Sequence, residues 1–337
     1  MRSSSMPRFS VNSHKPNLIA GMILVMSLGV LYLSFEPVPA GETPNSAADS
    51  QFSPIEDFRV EDFEVPMPPG AAELPVVESD PDDSDVPDPV LAAAPSTLSN
   101  IELIEYSLFL LKDGAEFLDQ LDTYTAVFHK QERLGGDLSE VQTIDVKIRQ
   151  SRPFAVYMRW RNGDRGRQLL YSDEYDDGDM VVKLGGFKGR LLPGIKLNPK
   201  GSRALEKARH PVTQAGLQGM VDQMIAHRRR DLSRGHGMRC TRLPNQEFDE
   251  RDCFCFLYEY ESPQISKEYR KSLILLDAKR HIPLMARNYT WAAEADDLSE
   301  DDLDALTLTE NYAFTNVDFS KVLTAIEFSR KNPRYRM

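Results

Sequence analysis

The chain of 337 residues carries a net charge of −12. Nearly all of that acidity lies in one Pro-rich stretch, so the part able to fold is close to neutral, without the basic footprint of a nucleic-acid binder.

Residues 1–17 contain Arg2, Arg8 and Lys15 and no acid, and the run from Leu18 to Phe35 has no charged side chain. This pattern predicts a transmembrane segment over 18–35 with a cytoplasmic basic tail. A core helix of that length would show a polar face, and here only Ser27, Tyr32 and Ser34 interrupt the run. Because cationic flanks stay inside, everything after Phe35 is expected outside the cytoplasm. Two readings remain open: a signal anchor that holds the domain to the inner membrane, facing the periplasm, or a signal peptide cleaved after Ala40 of Val38-Pro39-Ala40, releasing it there. No cysteine follows the run, so there is no thiol to acylate as a lipoprotein.

Residues 41–97 hold ten prolines, fourteen acids and one base, Arg59. Their scattered apolar side chains cannot offset the entropy lost on ordering, so this stretch is expected to be a disordered, self-repelling linker. Phe52, Phe58 and Phe63 sit among its acids, either as a short docking motif or as solvated linker.

Residues 98–337 read as one domain. Ile101, Ile104, Leu108, Leu111, Ala115 and Leu118 follow helical spacing after possible caps at Ser96, Thr97 or Ser99. The period then becomes alternating: Tyr124, Ala126 and Phe128; Ile144, Val146 and Ile148; Val156, Met158 and Trp160. Turns at Gly135-Gly136, Asn162-Gly163, Asp177-Gly178 and Gly185-Gly186 join these strands into an antiparallel meander. A helical region from about Gly201 to Leu232 follows, divided by Pro211, and strands resume over 253–261, 272–276, 285–291 and 306–315. Glu294 to Asp304 reads as an exposed acidic loop or short helix. The order predicts an α+β domain built on one large sheet.

Three sets of residues invite a chemical reading. Cys253 and Cys255 share a strand face, and either could bridge to Cys240; disulfide and buried thiol are both open, whereas the spacing does not suit zinc. Arg228, Arg229 and Arg230 form the most concentrated basic patch, an anion or head-group contact or else a solvated helix end. His129, His210 and His281 are lone histidines. No catalytic motif stands out, so no enzyme activity, cofactor or metal is expected.

The segment Phe128-x-x-Gln131 followed by Arg152-Pro153-Phe154 and the strand to Trp160 resembles the LolA/LolB lipoprotein-carrier superfamily. Arg209-His210-Pro211-Val212-Thr213-Gln214-Ala215-Gly216 and the terminal Asn332-Pro333-x-Tyr335 more closely resemble an uncharacterised bacterial extracytoplasmic family, domain of unknown function fifteen-seventy-one. The superfamily implies an unclosed half-barrel, a curved antiparallel sheet with helices covering its concave face and an apolar cavity for lipid or lipoprotein acyl chains. An anchored domain with a long tether departs from a soluble shuttle. One alternate set per strand must face such a cavity, and the apolar sets are Ile144, Val146, Ile148; Val156, Met158, Trp160; and Phe254, Phe256, Tyr258. The same alternation suits a structural or adaptor module with a solid core. Protein partners are not legible.

Overall fold

Helix α1 (Asn100–Asp119) starts where its first free backbone donors find an acceptor: Ser99 Oγ accepts from the Glu102 N–H at 3.4 Å, while the Glu102 carboxylate accepts from the Ser99 N–H at 2.7 Å. This reciprocal cap fixes the helix end. Ile104, Leu108, Leu111 and Leu118 lie on its buried side, as their spacing predicts. The computed structural model describes residues 98–174, 176–293, 297–335 and 337. The expected membrane segment from Leu18 to Phe35 and the linker 41–97 lie outside the described residues. Among the described residues no helix is long and apolar enough to cross a membrane.

The chain continues through β1 (Thr123–Leu134), β2 (Asp137–Leu138), β3 (Gln142–Arg149), β4 (Ala155–Trp160), β5 (Gln168–Ser172), β6 (Met180–Lys183), α2 (Gly186–Leu191) and β7 (Ile195–Leu197). The cover helices α3 (Ser202–Leu205) and α4 (Leu217–Arg234) follow, separated by a 3-10 turn over Val212–Gln214 just after Pro211. Then come β8 (Met238–Phe248), β9 (Arg251–Tyr260), β10 (Lys271–Asp277), β11 (Pro283–Tyr289), α5 (Glu300–Thr307) and β12 (Leu308–Asp318). The strands form one antiparallel sheet in the order β7-β6-β5-β4-β3-β1-β12-β11-β10-β9-β8, with β2 paired to β1. Among the described residues β7 and β8 do not pair with each other, so the sheet is unclosed.

Two features depart from the sequence expectation, and a third takes one of the two forms it allowed. Strand β8 was not legible, because its outward residues are polar and Pro244 interrupts it. It runs at the sheet edge, shifts register between Leu243 and Gln246, and is held by Asn100 of α1, which donates to Met238 O at 2.8 Å and accepts from the Cys240 N–H at 2.6 Å. The Gly185-Gly186 segment, expected as a hairpin turn, instead opens α2, with Gly186 at φ +62. The acidic segment ending at Asp304, expected as an exposed loop or short helix, contains the short helix α5, docked by Glu300 against Lys271 at 2.6 Å and Arg270 at 3.0 Å. Countercharges at the start of β10 and just before it thus hold a helix whose own side chains are mostly polar.

Register also decides the cysteines. Cys240 lies opposite Tyr258 and Cys255 opposite Leu243, and of the two open readings the structure has the buried thiol: all three are buried free cysteines. Burial pushes the Cys240, Cys253 and Cys255 thiols up to about 12, which keeps them protonated and unreactive.

The larger hydrophobic cluster takes in α1, α4 and the sheet face beneath them, and continues through β9 and β10 to the opposite face at Cys255, Leu257, Leu273 and Leu275. On the other face Ala155, Tyr157 and Leu170 pack against Phe328 and Tyr335 of the chain end, with the Tyr157 and Tyr335 rings stacked at 3.8 Å. The terminal Asn332-Pro333-x-Tyr335 is therefore part of a second core.

Candidate functional site

Strand register puts all nine apolar candidates on the helix-covered face. Ile144 pairs with Trp160, Val146 with Met158 and Ile148 with Val156; Phe256 pairs with Ile274, Phe254 with Leu276 and Tyr258 with Ser272. The two halves connect across β1 and β12 through Phe128 opposite Ile144 and Phe314, then Tyr312 opposite Ala286 and Ala286 opposite Ile274. Alternation by two makes these one face.

The helices do not fill that face evenly. Over one part they press directly on the sheet: the Tyr106 ring of α1 is 6.2 Å from Phe256, and Tyr124 OH accepts the first N–H of α4, from Leu217, at 2.8 Å. Gly216, at φ +95, allows that approach, since a Cβ there would sit 2.6 Å from Tyr124 OH. Val146, Ile148, Val156, Phe254, Phe256 and Tyr258 are buried in this solid region and do not line the cavity. Beside it, between the sheet and the 199–216 segment with α4, a cavity of about 180 Å³ remains. Ile144, Met158 and Trp160 line it, together with Phe128, Leu169, Met180 and Phe314 from the sheet and Leu205, Met220 and Met224 from the helical cover.

One end of this apolar space is charged. Glu132 on β1 and Glu310 on β12 are register partners, both 2% exposed. Two carboxylates directly opposite repel, so the pair stands only with countercharge. That countercharge comes from the segment between α3 and α4: Arg209 Nε donates to Glu310 at 3.0 Å, and His210 Nε2 lies 3.0 Å from the same oxygen. Tyr269 OH and Asn288 Nδ2 each donate at 2.7 Å to the other Glu310 oxygen. Glu132 takes Lys130 Nζ at 2.9 Å, the Arg209 N–H at 3.2 Å and Tyr312 OH at 2.5 Å. Burial alone would raise the Glu310 carboxyl, but its bonds to His210, Tyr269 and Asn288 outweigh that and hold it at about 2. Burial disfavours the His210 cation, yet Glu310 more than compensates and raises its pKa. His227, whose ring is 5.7 Å from that of Tyr269, is held at about 4 by burial and by Arg230 and Arg228.

A carboxylate saturated with donors is a poor general base, since a base must titrate near its working pH. The cluster instead ties the 209–210 segment to β1 and β12. It gathers residues from five places in the chain, which explains why His210 looks solitary in sequence. Glu132 and Glu310 were missed; the available signal was an acid at a position of an alternating strand that should face the core.

The arginine patch is divided by helical geometry. Arg228 is buried, bonded to Asp231 at 2.9 Å and to Tyr260 OH at 2.8 Å, with its guanidinium 3.4 Å from the Tyr258 ring centre. It is therefore not a solvated contact. Arg229 and Arg230 are exposed on the outer side, Arg230 beside His227 at 2.9 Å. His129 bonds to Thr315 at 3.0 Å and His281 to Asp113 at 2.7 Å, both away from the cavity.

No curated protein matches the chain. Among solved structures it is similar to a DUF1329 family protein from Desulfovibrio piger, with 10% identity, TM-score 0.32, and 67% of this chain and 97% of that one covered. A LolA superfamily protein from Nitrosomonas europaea matches with 11% identity, TM-score 0.28 and coverage of 66% and 97%. The Mycobacterium tuberculosis lipoprotein LppX matches with 11% identity, TM-score 0.37 and coverage of 65% and 98%. The family model "Protein of unknown function (DUF1571)" matches residues 121–337, the span that includes both the charged cluster and the terminal tyrosine, and the chain belongs to that family.

Proposed function

We propose that this domain is a non-catalytic extracytoplasmic module, tethered to the membrane by residues 18–35, that binds a lipid, a lipoprotein acyl chain or another apolar ligand. The observation that carries this reading is the cavity itself, an apolar space lined at one end by a fixed charged cluster rather than by more apolar side chains. An amphiphile suits such a space: its chain meets Met158, Trp160 and Phe314, and its polar end is directed toward Lys130 and His210. Pockets for whole ligands usually span roughly 300 to 1,000 Å³. The present 180 Å³ accommodates only part of an acyl chain, so a longer one requires the 199–216 cover to move outward.

The competing reading, a structural or adaptor module, draws support from the solid packing of Phe254, Phe256 and Tyr258. Filling the cavity separates the two. Ala286 lines it from β11. Ala286→Phe is expected to abolish binding of a fluorescent fatty-acid analogue while changing the melting temperature little, because the added ring enters empty space. In a filled core the same ring would overpack and lower stability by about 1–3 kcal/mol. A melting loss of that size in a protein that never binds the probe would favour the structural module. The tether is tested separately: a reporter fused after Met337 is expected to be active only outside the cytoplasm, and cytoplasmic activity would refute that placement.

A further inference from the structure

Among the described residues, six of the eleven exposed large apolar side chains fall in one run of the chain, from the end of β6 to α3. Phe187 is 74% exposed, Leu191 69% and Leu192 46%, with Leu184, Ile195 and Leu205 beside them in sequence at 36–37%. From Met180 to Leu205 the chain has six basic residues and no acid, in a domain that is close to neutral as a whole. Lys200 and Arg203 are exposed. Apolar side chains set among cations, with no acid between them, match a surface that is both oily and anionic.

The patch is also continuous with the cavity. Ile195 pairs with Val182, which pairs with the cavity-lining Leu169; Leu205 lines the cavity and is exposed as well. We infer that the β6–α3 connection is a docking tip that inserts Phe187 and Leu191 shallowly into the head-group region of a bilayer containing anionic lipid, and so presents the cavity to the membrane surface. This site is distinct from the expected span 18–35 and from the arginine patch on α4.

The test uses a chain beginning at Leu98, which holds every described strand and both hydrophobic clusters and lacks the membrane segment; its cooperative melting is verified first. Binding is measured to vesicles of phosphatidylcholine alone and of phosphatidylcholine mixed with phosphatidylglycerol. Binding is expected only to the mixed vesicles. Phe187→Ser with Leu191→Ser should weaken it about tenfold or more, since exposed side chains there contribute to insertion and not to the core. Lys200→Gln with Arg203→Gln should weaken it roughly 25-fold, about fivefold for each cation near the surface. Both variants are expected to melt as the parent does and to bind the fluorescent fatty acid unchanged in solution, so failure of the tip and failure of the cavity reading are distinguishable. Equal binding to neutral vesicles, no binding to either, or full binding by the variants would overturn the inference. Dimerisation abolished by the serine variants, without vesicle binding, would assign the patch to a second copy of the chain and overturn it too.

Discussion

Replacing Glu310 by glutamine is expected to lower the stability of the domain by about 3 kcal/mol, the size associated with breaking a buried charge pair by removing one partner. Arg209 and His210 would lose their common acceptor, and Tyr269 and Asn288 would compete for a single carbonyl oxygen. The effect should depend on pH in a defined direction. Glu310 titrates near 4.5 when unfolded and about 2 when folded, so its contribution is present above 4.5 and disappears as the pH falls toward 2. His210 has the opposite sense: its pKa is raised from 6.5 by folding, so its contribution is complete below 6.5 and disappears as the pH rises through the folded value. Both act together between 4.5 and 6.5, and the parent protein should be most stable relative to Glu310→Gln in that interval. Chemical denaturation of both proteins across pH measures this directly. A constant difference from acid to alkaline pH would show that the cluster is not ionised as described.

The second large effect is expected at Arg228. Arg228→Met leaves Asp231, itself 7% exposed, as a buried carboxylate without its cation, and should cost about 3–5 kcal/mol. Burial already holds the Asp231 carboxyl above its ordinary value against the pull of Arg228, so the pair is a strained use of charge rather than a strong stabiliser. The double variant Arg228→Met with Asp231→Leu is accordingly expected to recover most of the loss, because both desolvation penalties vanish together. Tyr260 OH, which bonds to both groups, would keep the double variant somewhat below the parent. Thermal or denaturant unfolding of the two singles and the double checks this, and additive losses would contradict a coupled pair. An anion-binding role for Arg228 predicts something else, that Arg228→Met leaves stability unchanged and weakens binding of phosphate or lipid.

Several features follow from the chain without tertiary information, because they depend on neighbours in sequence. Period places α1, with the choice among Ser96, Thr97 and Ser99 as its cap left to the structure; alternation places Ile144, Val146 and Ile148 with Val156, Met158 and Trp160 on one face, and Pro211 divides the cover segment. Glycines at Gly135, Gly136 and Gly163 take the positive φ that tight turns require. What the chain alone does not determine is how a face is shared. The same alternating strands hold Phe256 under α1 and Met158 beside open space, and only the path of the helices across the sheet separates a solid core from a cavity wall. The arginine run shows the same limit: three adjacent cations on a helix point in different directions, so Arg228 goes inward while Arg229 and Arg230 stay outside. Glu132 and Glu310 depend on tertiary structure most completely. Each is an isolated acid in a strand, and the reason both are tolerated is countercharge brought by Arg209 and His210 from a segment 77 and 100 residues away. Register sets two carboxylates face to face, and the chain crossing the sheet supplies the charge that lets them remain there.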